Sequence, residues 1–225
     1  MAAKSDAQIV LYTQTTPNGI VPAIFLEELK AKYGQPDYDV VSMSIRDADI
    51  GKVHNQVKSP WYLELNPNGK IPTITHEGFP VFETSAILLY LAQQYDKENI
   101  FSRDAVKDPK GYSEVLQWLF FVHGGVGPMQ GQAGHFSFIP EKIPYAINRY
   151  QNETKRLYGV LESRLSKQDY LVGNEYSIAD IKAFGWARAL DRVGLSFSEF
   201  PKVKAWVDRI EARPAVKAGL AAISN

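Results

Sequence analysis

Hydrophobic positions divide the chain into a first part with strands and helices and a second part that is helical throughout. Short runs of β-branched and aromatic residues predict strands, and longer runs with apolar residues three or four positions apart predict helices. In the first part these patterns predict strands at residues 8–13, 38–45, 71–74 and 79–82, and helices at residues 20–32 and 84–95. The polar segment 47–62 predicts irregular structure. The resulting order is β-α-β, a loop, and then β-β-α.

The second part follows a predicted linker at residues 97–107, and no strand is predicted in it. Apolar periodicity predicts helices at residues 109–129, from Pro144 to about residue 165, from Ser177, after Pro201 and after Pro214. A glycine-rich loop is expected at residues 131–140, where the first of these helices has ended. The predicted domains are therefore residues 1–96 and residues 108–225.

The helix predicted to begin at Ser177 carries a recognisable start signal. In Ser177-Ile178-Ala179-Asp180 the serine hydroxyl is suited to accept the backbone N–H of Asp180, and the aspartate is suited to accept the N–H of Ser177 in return. This reciprocal pair predicts a capping box at the start of a helix in the second domain.

A turn followed by a proline-headed strand is the most informative stretch of the first domain. Asn66-Pro67-Asn68-Gly69 contains residues that accept tight-turn dihedral angles, and Ile71-Pro72-Thr73-Ile74 follows it. Proline gives no N–H to a sheet ladder, so Pro72 predicts either a sheet edge or a cis peptide bond. If the Ile71–Pro72 bond is cis, the N–H and C=O of Ile71 point outward and are free to pair with an extended peptide. The pattern predicts a docking edge for a small peptide-like ligand.

A second signal lies where the strand at 79–82 gives way to a helix. Thr84 stands at the helix start, where unpaired backbone N–H groups and the helix dipole favour a carboxylate. Glu83 beside it is suited to accept an α-ammonium group. A ligand that carries both groups at one end is an amino acid joined through its side chain.

These two motifs resemble the glutathione site of the cytosolic glutathione transferases. The matching stretches are Asn66-Pro-Asn-Gly-Lys-Ile-Pro-Thr-Ile74 and Phe82-Glu-Thr-Ser-Ala-Ile-Leu-Leu-Tyr-Leu91. The segments 117–120, 124–129 and 143–150 further resemble the bacterial nu class and the fungal proteins related to the catalytic domain of the yeast nitrogen-regulating prion protein. The resemblance implies a thioredoxin-like N-terminal domain with a helical-bundle C-terminal domain, glutathione as co-substrate, and a homodimer.

The resemblance also implies a set of glutathione-binding residues in the first domain. Thr16 and Asn18, in a Thr-Pro-Asn segment after the first strand, are expected to hold the glutathione thiol or thiolate by hydrogen bonds without acting as bases. Thr15 is a further candidate there, and Asn18 alternatively serves only to cap the helix. The other expected contacts are Gln56, Lys70 for the glycyl carboxylate, the main chain of Ile71 for the cysteinyl unit, and Glu83 with Thr84 for the γ-glutamyl end. His54 is an alternative to Gln56.

In the second domain the resemblance implies one more glutathione contact, Arg149, whose cation would lie near the ligand carboxylates. The alternative is an arginine on a solvated helix face. Gln132, His135 and Phe136, on the predicted glycine-rich loop, are candidates for lining the pocket of a second substrate.

The composition limits the other chemistries open to the chain. Its 225 residues include no cysteine, so any reacting sulfur must come with the ligand. The 25 acidic and 25 basic residues balance, which argues against a nucleic-acid partner. The four histidines lack metal-ligand spacing, so no metal is expected. With no apolar run near the length of about 18 residues typical of a membrane span and no signal-peptide pattern, a cytoplasmic protein without a membrane partner is expected.

The predicted function is a glutathione transferase that binds glutathione or its disulfide, reduces disulfides, conjugates electrophiles and, as a further activity, reduces peroxides. The alternative is a glutathione-binding regulator or scaffold with little turnover. The few residues before the first strand contain no Asn/Gln-rich segment, which favours the enzyme.

Overall fold

A four-stranded sheet forms the centre of the first unit of the computed structural model, which describes residues 8–224. The strands are β1 (Ile9–Thr13), β2 (Tyr38–Ser42), β3 (Thr73–His76) and β4 (Phe79–Phe82). They lie in the order β2-β1-β3-β4, with β1 parallel to β2 and antiparallel to β3, and β3 antiparallel to β4. This is the arrangement of a thioredoxin fold, so the predicted fold class is confirmed for this unit.

The helices of this unit are α1 (Ile20–Tyr33), α2 (Pro60–Leu65), α3 (Thr84–Tyr95) and α9 (Pro214–Ala222). The expectation that residues 47–62 are irregular is wrong where α2 begins. Six residues are too few for a helix to be stable alone, and α2 depends on tertiary packing. Its Tyr62 is fully buried in a cluster with Tyr12 and Met43, which supplies that packing.

The predicted domain division differs from the structure at the C-terminal end. Residues up to Glu98 and the segment that begins at Arg213 belong to the first unit, and Asn99–Ala212 form the second. The helix after Pro214 had been expected in the second domain, but it packs against α1. Its composition of small apolar residues is compatible with either neighbour, so the sequence pattern does not choose between them.

The second unit is all helical over its described residues, as predicted. Its helices are α4 (Pro109–Phe121), α5 (Gly127–Phe138), α6 (Pro144–Leu165), α7 (Ile178–Ala187) and α8 (Pro201–Glu211). A π-helical turn, Val122–Val126, joins α4 to α5. The loop expected at residues 131–140 is wrong, because α5 continues to Phe138. The glycines of α5 allow close packing on Trp186: a Cβ at Gly127 would lie 3.0 Å from its Nε1, and a Cβ at Gly131 would lie 3.4 Å from its Cη2.

The buried carboxylate of Asp180 organises the second unit. It accepts hydrogen bonds from the N–H of Leu171 (2.9 Å), the N–H (3.0 Å) and hydroxyl (2.9 Å) of Ser177, and the indole N–H of Trp206 (2.9 Å). The hydroxyl of Ser177 in turn accepts the N–H of Asp180, so the predicted capping box is confirmed. The same side chain therefore starts α7 and fastens α8 to it.

Candidate functional site

The edge predicted at Ile71 is present at the head of β3. The Ile71–Pro72 peptide bond is cis. Sheet pairing begins two residues later, with Thr73 opposite Tyr12 and Phe82. The main chain of Ile71 thus lies outside the ladder formed by the described strands. It is placed to pair with an extended backbone that lies alongside.

A polar network on the inner side of this edge holds it in place. The hydroxyl of Tyr62 donates to the carbonyl of Lys70 (2.7 Å). The side-chain amide of Asn66 donates to the same carbonyl (2.9 Å) and to the hydroxyl oxygen of Thr73 (2.9 Å). That hydroxyl lies 2.8 Å from the Tyr62 hydroxyl and donates to it, which leaves no polar hydrogen in the network unused. The carbonyl next to Ile71 is therefore held in place by two donors.

Sequence patterns did not reveal this network. Asn66 was assigned only to a turn, and Tyr62 lies in a segment expected to be irregular. Burial raises the pKa of Tyr62 to about 12, so its hydroxyl keeps its proton near neutral pH. The only sequence signal was the close spacing of Tyr62, Asn66 and Thr73, which becomes informative once α2 is known to be helical.

The segment between β1 and α1 is tightly wound around Gly19. The N–H of Gly19 donates to the hydroxyl oxygen of Thr16 (3.0 Å), and its carbonyl accepts the hydroxyl of Thr13 (2.8 Å). A Cβ at Gly19 would lie 1.9 Å from the carbonyl oxygen of Gln14, so only glycine fits. The segment Gln14–Gly19, called the thiol loop below, therefore has a backbone course held by specific contacts.

The thiol loop presents Thr16 and Asn18 at the start of α1. The N–H of Ile20 donates to the carbonyl of Thr16 (3.1 Å), and the N–H of Val21 donates to that of Asn18 (3.3 Å). The cap on the helix-start N–H of Gly19 comes from the hydroxyl of Thr16. Among the described residues no acceptor takes the hydroxyl hydrogen of Thr16. This hydrogen is available for a ligand sulfur at a helix N-terminus, and Asn18 beside it is half-buried.

Tyr12 is excluded as the thiol donor by its position. Its ring lies 8% exposed in the cluster with Tyr62 and Met43, on the side of the sheet that α2 covers. The two tyrosine rings are 6.0 Å apart in an edge-on contact. Tyr12 is therefore a core residue of β1.

Glu83 and Thr84 lie at the β4–α3 junction, as predicted, and Glu83 has an unusual backbone. Its φ of +69° and ψ of 118° place a non-glycine residue in a sparsely populated region. Its side chain is exposed, while Thr84 is buried and opens α3. No acidic residue occupies the first turn of this helix. A ligand carboxylate at Thr84 and an ammonium group at Glu83 both fit these charges.

Replacing Glu83 with glycine should stabilise the fold and weaken glutathione binding. Glycine adopts positive φ without a steric penalty, so we expect the free energy of unfolding to rise by about 0.5–1 kcal/mol. Loss of the carboxylate should raise the Kd for glutathione about tenfold, the effect of roughly 1.4 kcal/mol. Urea denaturation and calorimetric titration measure the two effects.

Glu77→Gly is the matched control, because Glu77 also has positive φ, at +50°. It lies in the turn between β3 and β4, where Glu77 accepts a hydrogen bond from Gln8 (3.2 Å). Glu77→Gly should leave glutathione affinity unchanged. Equal affinity losses in the two variants would contradict the ammonium-binding role of Glu83.

The two residues left open for the loop ahead of α2 have different surroundings. Gln56 is 1% exposed, and its side chain bonds to backbone: Nε2 donates to the carbonyl of Arg46 (3.3 Å) and Oε1 accepts the N–H of Lys58. His54 is exposed and stacks on Trp61 at 5.5 Å. The side chain of Gln56 is thus used to hold the loop, and His54 is the member of the pair with an exposed ring. Lys70 is also exposed.

The helical unit has a cavity of its own at the start of α6, with a volume of about 630 Å³. Its walls include Arg149, Glu153 and Arg156. Arg156 donates two hydrogen bonds to Glu153 (2.8 and 2.7 Å). These bonds, and the nearby charge of Arg149, lower the pKa of Glu153. Since no hydrogen bond or ion pair joins Arg149 to another described residue, the cavity keeps one positive charge to offer an anion.

The three candidates for a second-substrate pocket lie on α5. Gln132 and His135 are exposed, and none of the three lines the cavity at α6. The ring of Phe136 stacks on Tyr150, a residue of the cavity wall, with centroids 5.5 Å apart. Their role in substrate binding stays a prediction.

Residues 8–224 contain no group of three or more His, Cys, Asp or Glu side chains arranged to hold a metal ion. No helix among them combines the length and the apolar character that crossing a membrane requires.

The thioredoxin-type sheet with a cis-proline edge, in a chain with an all-helical second unit, defines a class of glutathione-binding proteins. Sequence profiles of that class match both units: "Glutathione S-transferase, N-terminal domain" over residues 7–93 and "Glutathione S-transferase, C-terminal domain" over residues 128–214. The chain is 41% identical to the disulfide-bond oxidoreductase YfcG of Escherichia coli, with 92% of each chain covered. The chain belongs to the glutathione S-transferase family.

Two solved structures resemble this one along almost all of its length. A glutathione transferase homologue from Lodderomyces elongisporus, described with two GSH per subunit, has a TM-score of 0.83 and 41% identity, with 95% of this chain and 97% of that chain covered. The glutathione transferase URE2P6 from Phanerochaete chrysosporium, in complex with oxidised glutathione, has a TM-score of 0.84 and 37% identity, with 97% and 99% covered. These relatives bind glutathione in reduced and oxidised forms.

Proposed function

We propose that this protein is a nu-type glutathione transferase that reduces disulfides with glutathione and also conjugates glutathione to electrophiles. The observation that carries the proposal is a thiol loop and a peptide-docking edge in a chain without cysteine. The protein has no sulfur nucleophile of its own, so the reacting thiol is that of the bound peptide. A relative named as a disulfide-bond oxidoreductase and a structure with bound oxidised glutathione support the proposed reduction of disulfides.

In this proposal glutathione lies along the edge at Ile71. Its cysteinyl backbone pairs with the main chain of Ile71, its γ-glutamyl carboxylate meets the start of α3 at Thr84, and its ammonium group meets Glu83. Lys70 pairs with the glycyl carboxylate. The thiol then faces Thr16 and Asn18, whose donors and helix terminus favour the thiolate over a free thiol with a pKa of about 8.5.

The chemistry follows from a positioned thiolate. The glutathione sulfur attacks one sulfur of a disulfide, forms a new S–S bond, and releases the other sulfur as a thiolate that takes up a proton. A second glutathione thiolate attacks the glutathione sulfur of this mixed disulfide, so the products are oxidised glutathione and two thiols. The protein contributes position and a lowered thiol pKa. With an electrophilic carbon as acceptor, the same thiolate gives a conjugate.

Arg149 is proposed as a carboxylate contact for glutathione in the helical unit. The support is its unpaired guanidinium group among the described residues of the cavity wall. We further propose that the protein is a cytoplasmic homodimer, which sedimentation would test: a mass near the chain mass of 25.2 kDa would contradict the dimer.

The deciding experiment is glutathione-dependent reduction of hydroxyethyl disulfide, coupled to glutathione reductase, with chlorodinitrobenzene conjugation measured on the same preparation. We expect strong disulfide turnover and weaker conjugation. Conjugation alone would make the protein a transferase without the proposed reductase activity. Glutathione binding with neither activity would favour a regulatory protein, and absence of binding would overturn the proposal.

A further inference from the structure

The thiol loop is tied to the C-terminal end of the described chain. The hydroxyl of Thr15 donates a hydrogen bond to the carbonyl of Ile223 at 2.9 Å, across 208 positions of sequence. The N–H of Thr15 donates to the side chain of Gln14 (2.7 Å) within the loop. Thr15 directly precedes Thr16, so a contact from the end of α9 reaches the residue beside the proposed thiol contacts.

The middle of α9 has little freedom to move relative to α1. Gly219 lies directly against the α1 backbone: a Cβ there would come 2.6 Å from Cα and 2.7 Å from N of Ile24. Two helices meet this closely only where one presents a glycine, and any sliding would bring other side chains into backbone atoms. This close contact therefore holds α9 in one position on α1.

An ion pair with a buried carboxylate fastens the beginning of the same segment. Arg213, which precedes α9, donates two hydrogen bonds to the carboxylate of Glu28 on α1 (2.6 and 2.8 Å). The residue Glu28 is only 3% exposed, and a bidentate contact of this kind holds direction as well as distance. The segment that contains α9 is thus attached to α1 at its start, its middle and, through Ile223, at the thiol loop.

The described contacts of the loop are of two kinds. One is local, since Gly19 and Ile20 donate to Thr16 and join the loop to the start of α1. The other is distant and consists of the Thr15–Ile223 hydrogen bond. On the Thr15 side, the side chain of Gln14 accepts the N–H of Thr15 (2.7 Å) and reaches the carbonyl of Met43 at 3.5 Å, so the Thr15–Ile223 bond adds a restraint from the far end of the chain to this local one.

We propose that Thr15 is a positioning residue for the glutathione thiol and that the end of α9 acts through it to hold the thiol loop in its active arrangement. The inference deepens the proposed function and rests on it. Hydrogen-bond donors lower the pKa of a thiol only while they stay aimed at the sulfur. The restraint at Thr15 keeps Thr16 and Asn18 directed at the glutathione sulfur.

A purely structural role for Thr15 predicts a different result. Thr15 is exposed, and loss of one hydrogen bond from an exposed side chain should change the free energy of unfolding of the whole protein little. The consequence of the proposal is local: faster opening of the loop and a weaker preference for the thiolate. These quantities are measurable separately from the melting temperature.

The test compares Thr15→Val with Thr15→Ser and with Ser224→Ala as the matched control. Ser224 is the next residue after Ile223, and its hydroxyl bonds within the tail to the carbonyl of Leu220 (2.6 Å). Hydrogen exchange of the Gly19 and Ile20 amides reports the loop without any ligand. Thiolate absorbance of bound glutathione against pH reports the sulfur.

For Thr15→Val we expect amide exchange about three- to tenfold faster, as loss of one ordinary hydrogen bond implies, and a bound-thiol pKa raised by about half a unit. Thr15→Ser should restore both values, and Ser224→Ala should leave both unchanged. Unchanged exchange in Thr15→Val overturns the coupling, and faster exchange with an unchanged thiol pKa overturns the positioning role. If wild-type protein binds no glutathione, the proposed function fails, and exchange still decides whether the tail restrains the loop.

Discussion

Replacing Asp180 with alanine should lower the free energy of unfolding by about 3–4 kcal/mol at pH 7, because four buried donors would lose their acceptor together. The donors are the N–H and hydroxyl of Ser177, the N–H of Leu171 and the indole of Trp206. They come from three parts of the helical unit, so the start of α7 and the α7–α8 contact should weaken at once. Urea denaturation followed by circular dichroism measures the loss.

Asp208→Ala is the control for this prediction. Asp208 is exposed, and within residues 8–224 its carboxylate pairs only with Lys204, one turn earlier on α8, at 2.6 Å. A surface pair of this type contributes about 0.5 kcal/mol or less. An equal loss of stability in the two variants would show that the buried network has no special weight.

The pH dependence of stability gives a second result for Asp180. Burial raises its pKa from 3.8 to about 6, and the four hydrogen bonds only partly oppose this. The folded state then holds the proton more tightly than the unfolded state, so the stability present below about pH 4 is lost as the pH rises through about 6. At roughly 1.4 kcal/mol per pKa unit, the free energy of unfolding should fall by about 3 kcal/mol over this pH range.

Asp180→Asn removes this titration and keeps the shape of the side chain. The difference in unfolding free energy between wild type and Asp180→Asn should therefore shrink between about pH 4 and pH 7 as Asp180 ionises. Other groups titrate in both proteins and cancel. Parallel pH profiles would contradict the raised pKa.

Replacing Asn18 with alanine should raise the pKa of the bound glutathione thiol by about one unit and lower kcat/KM near pH 6 about tenfold, because the thiolate loses a donor. The helix start should survive, since the hydroxyl of Thr16, and not Asn18, accepts the N–H of Gly19. The pH–rate profile for disulfide reduction and the thiolate absorbance measure the two effects.

Asn68→Ala makes the same chemical change in the turn ahead of Lys70. Asn68 is exposed, and its backbone makes the turn contacts: its N–H donates to the side chain of Asn66 (3.0 Å) and its carbonyl accepts Lys58 (3.0 Å). The thiol pKa should not move in this variant. An unchanged pH–rate profile in Asn18→Ala would leave Asn18 without the proposed role.

Much of the fold could be predicted because its signals are local. The Ser177–Asp180 capping box spans four residues, and its hydrogen bonds follow from backbone geometry alone. Pro72 likewise predicted that the main chain of Ile71, at the head of β3, lies outside the sheet pairing. Glycine occurs both in loops and where a helix packs closely on a neighbour, and this signal was misinterpreted. The glycines that allow α5 to pack against Trp186 were taken to indicate a loop.

The candidate site was predictable only in part, for the same physical reason. The positions of Glu83 and Thr84 at a helix start follow from the pattern, but the positive φ of Glu83 does not, because surrounding packing imposes it against the preference of the residue. The Tyr62–Thr73 contact depends on α2, a helix too short to be predicted from its own propensity.

By itself the sequence determined the order of the strands, most of the helices, the proline that heads β3, the capping box and the absence of any cysteine. Each depends on residue identity or on interactions within a few positions, where dihedral and hydrogen-bond preferences decide. Only the tertiary structure decided that α9 belongs with α1 and that Ile223 meets Thr15. Contacts between residues some two hundred positions apart depend on how whole faces pack, which no local preference encodes.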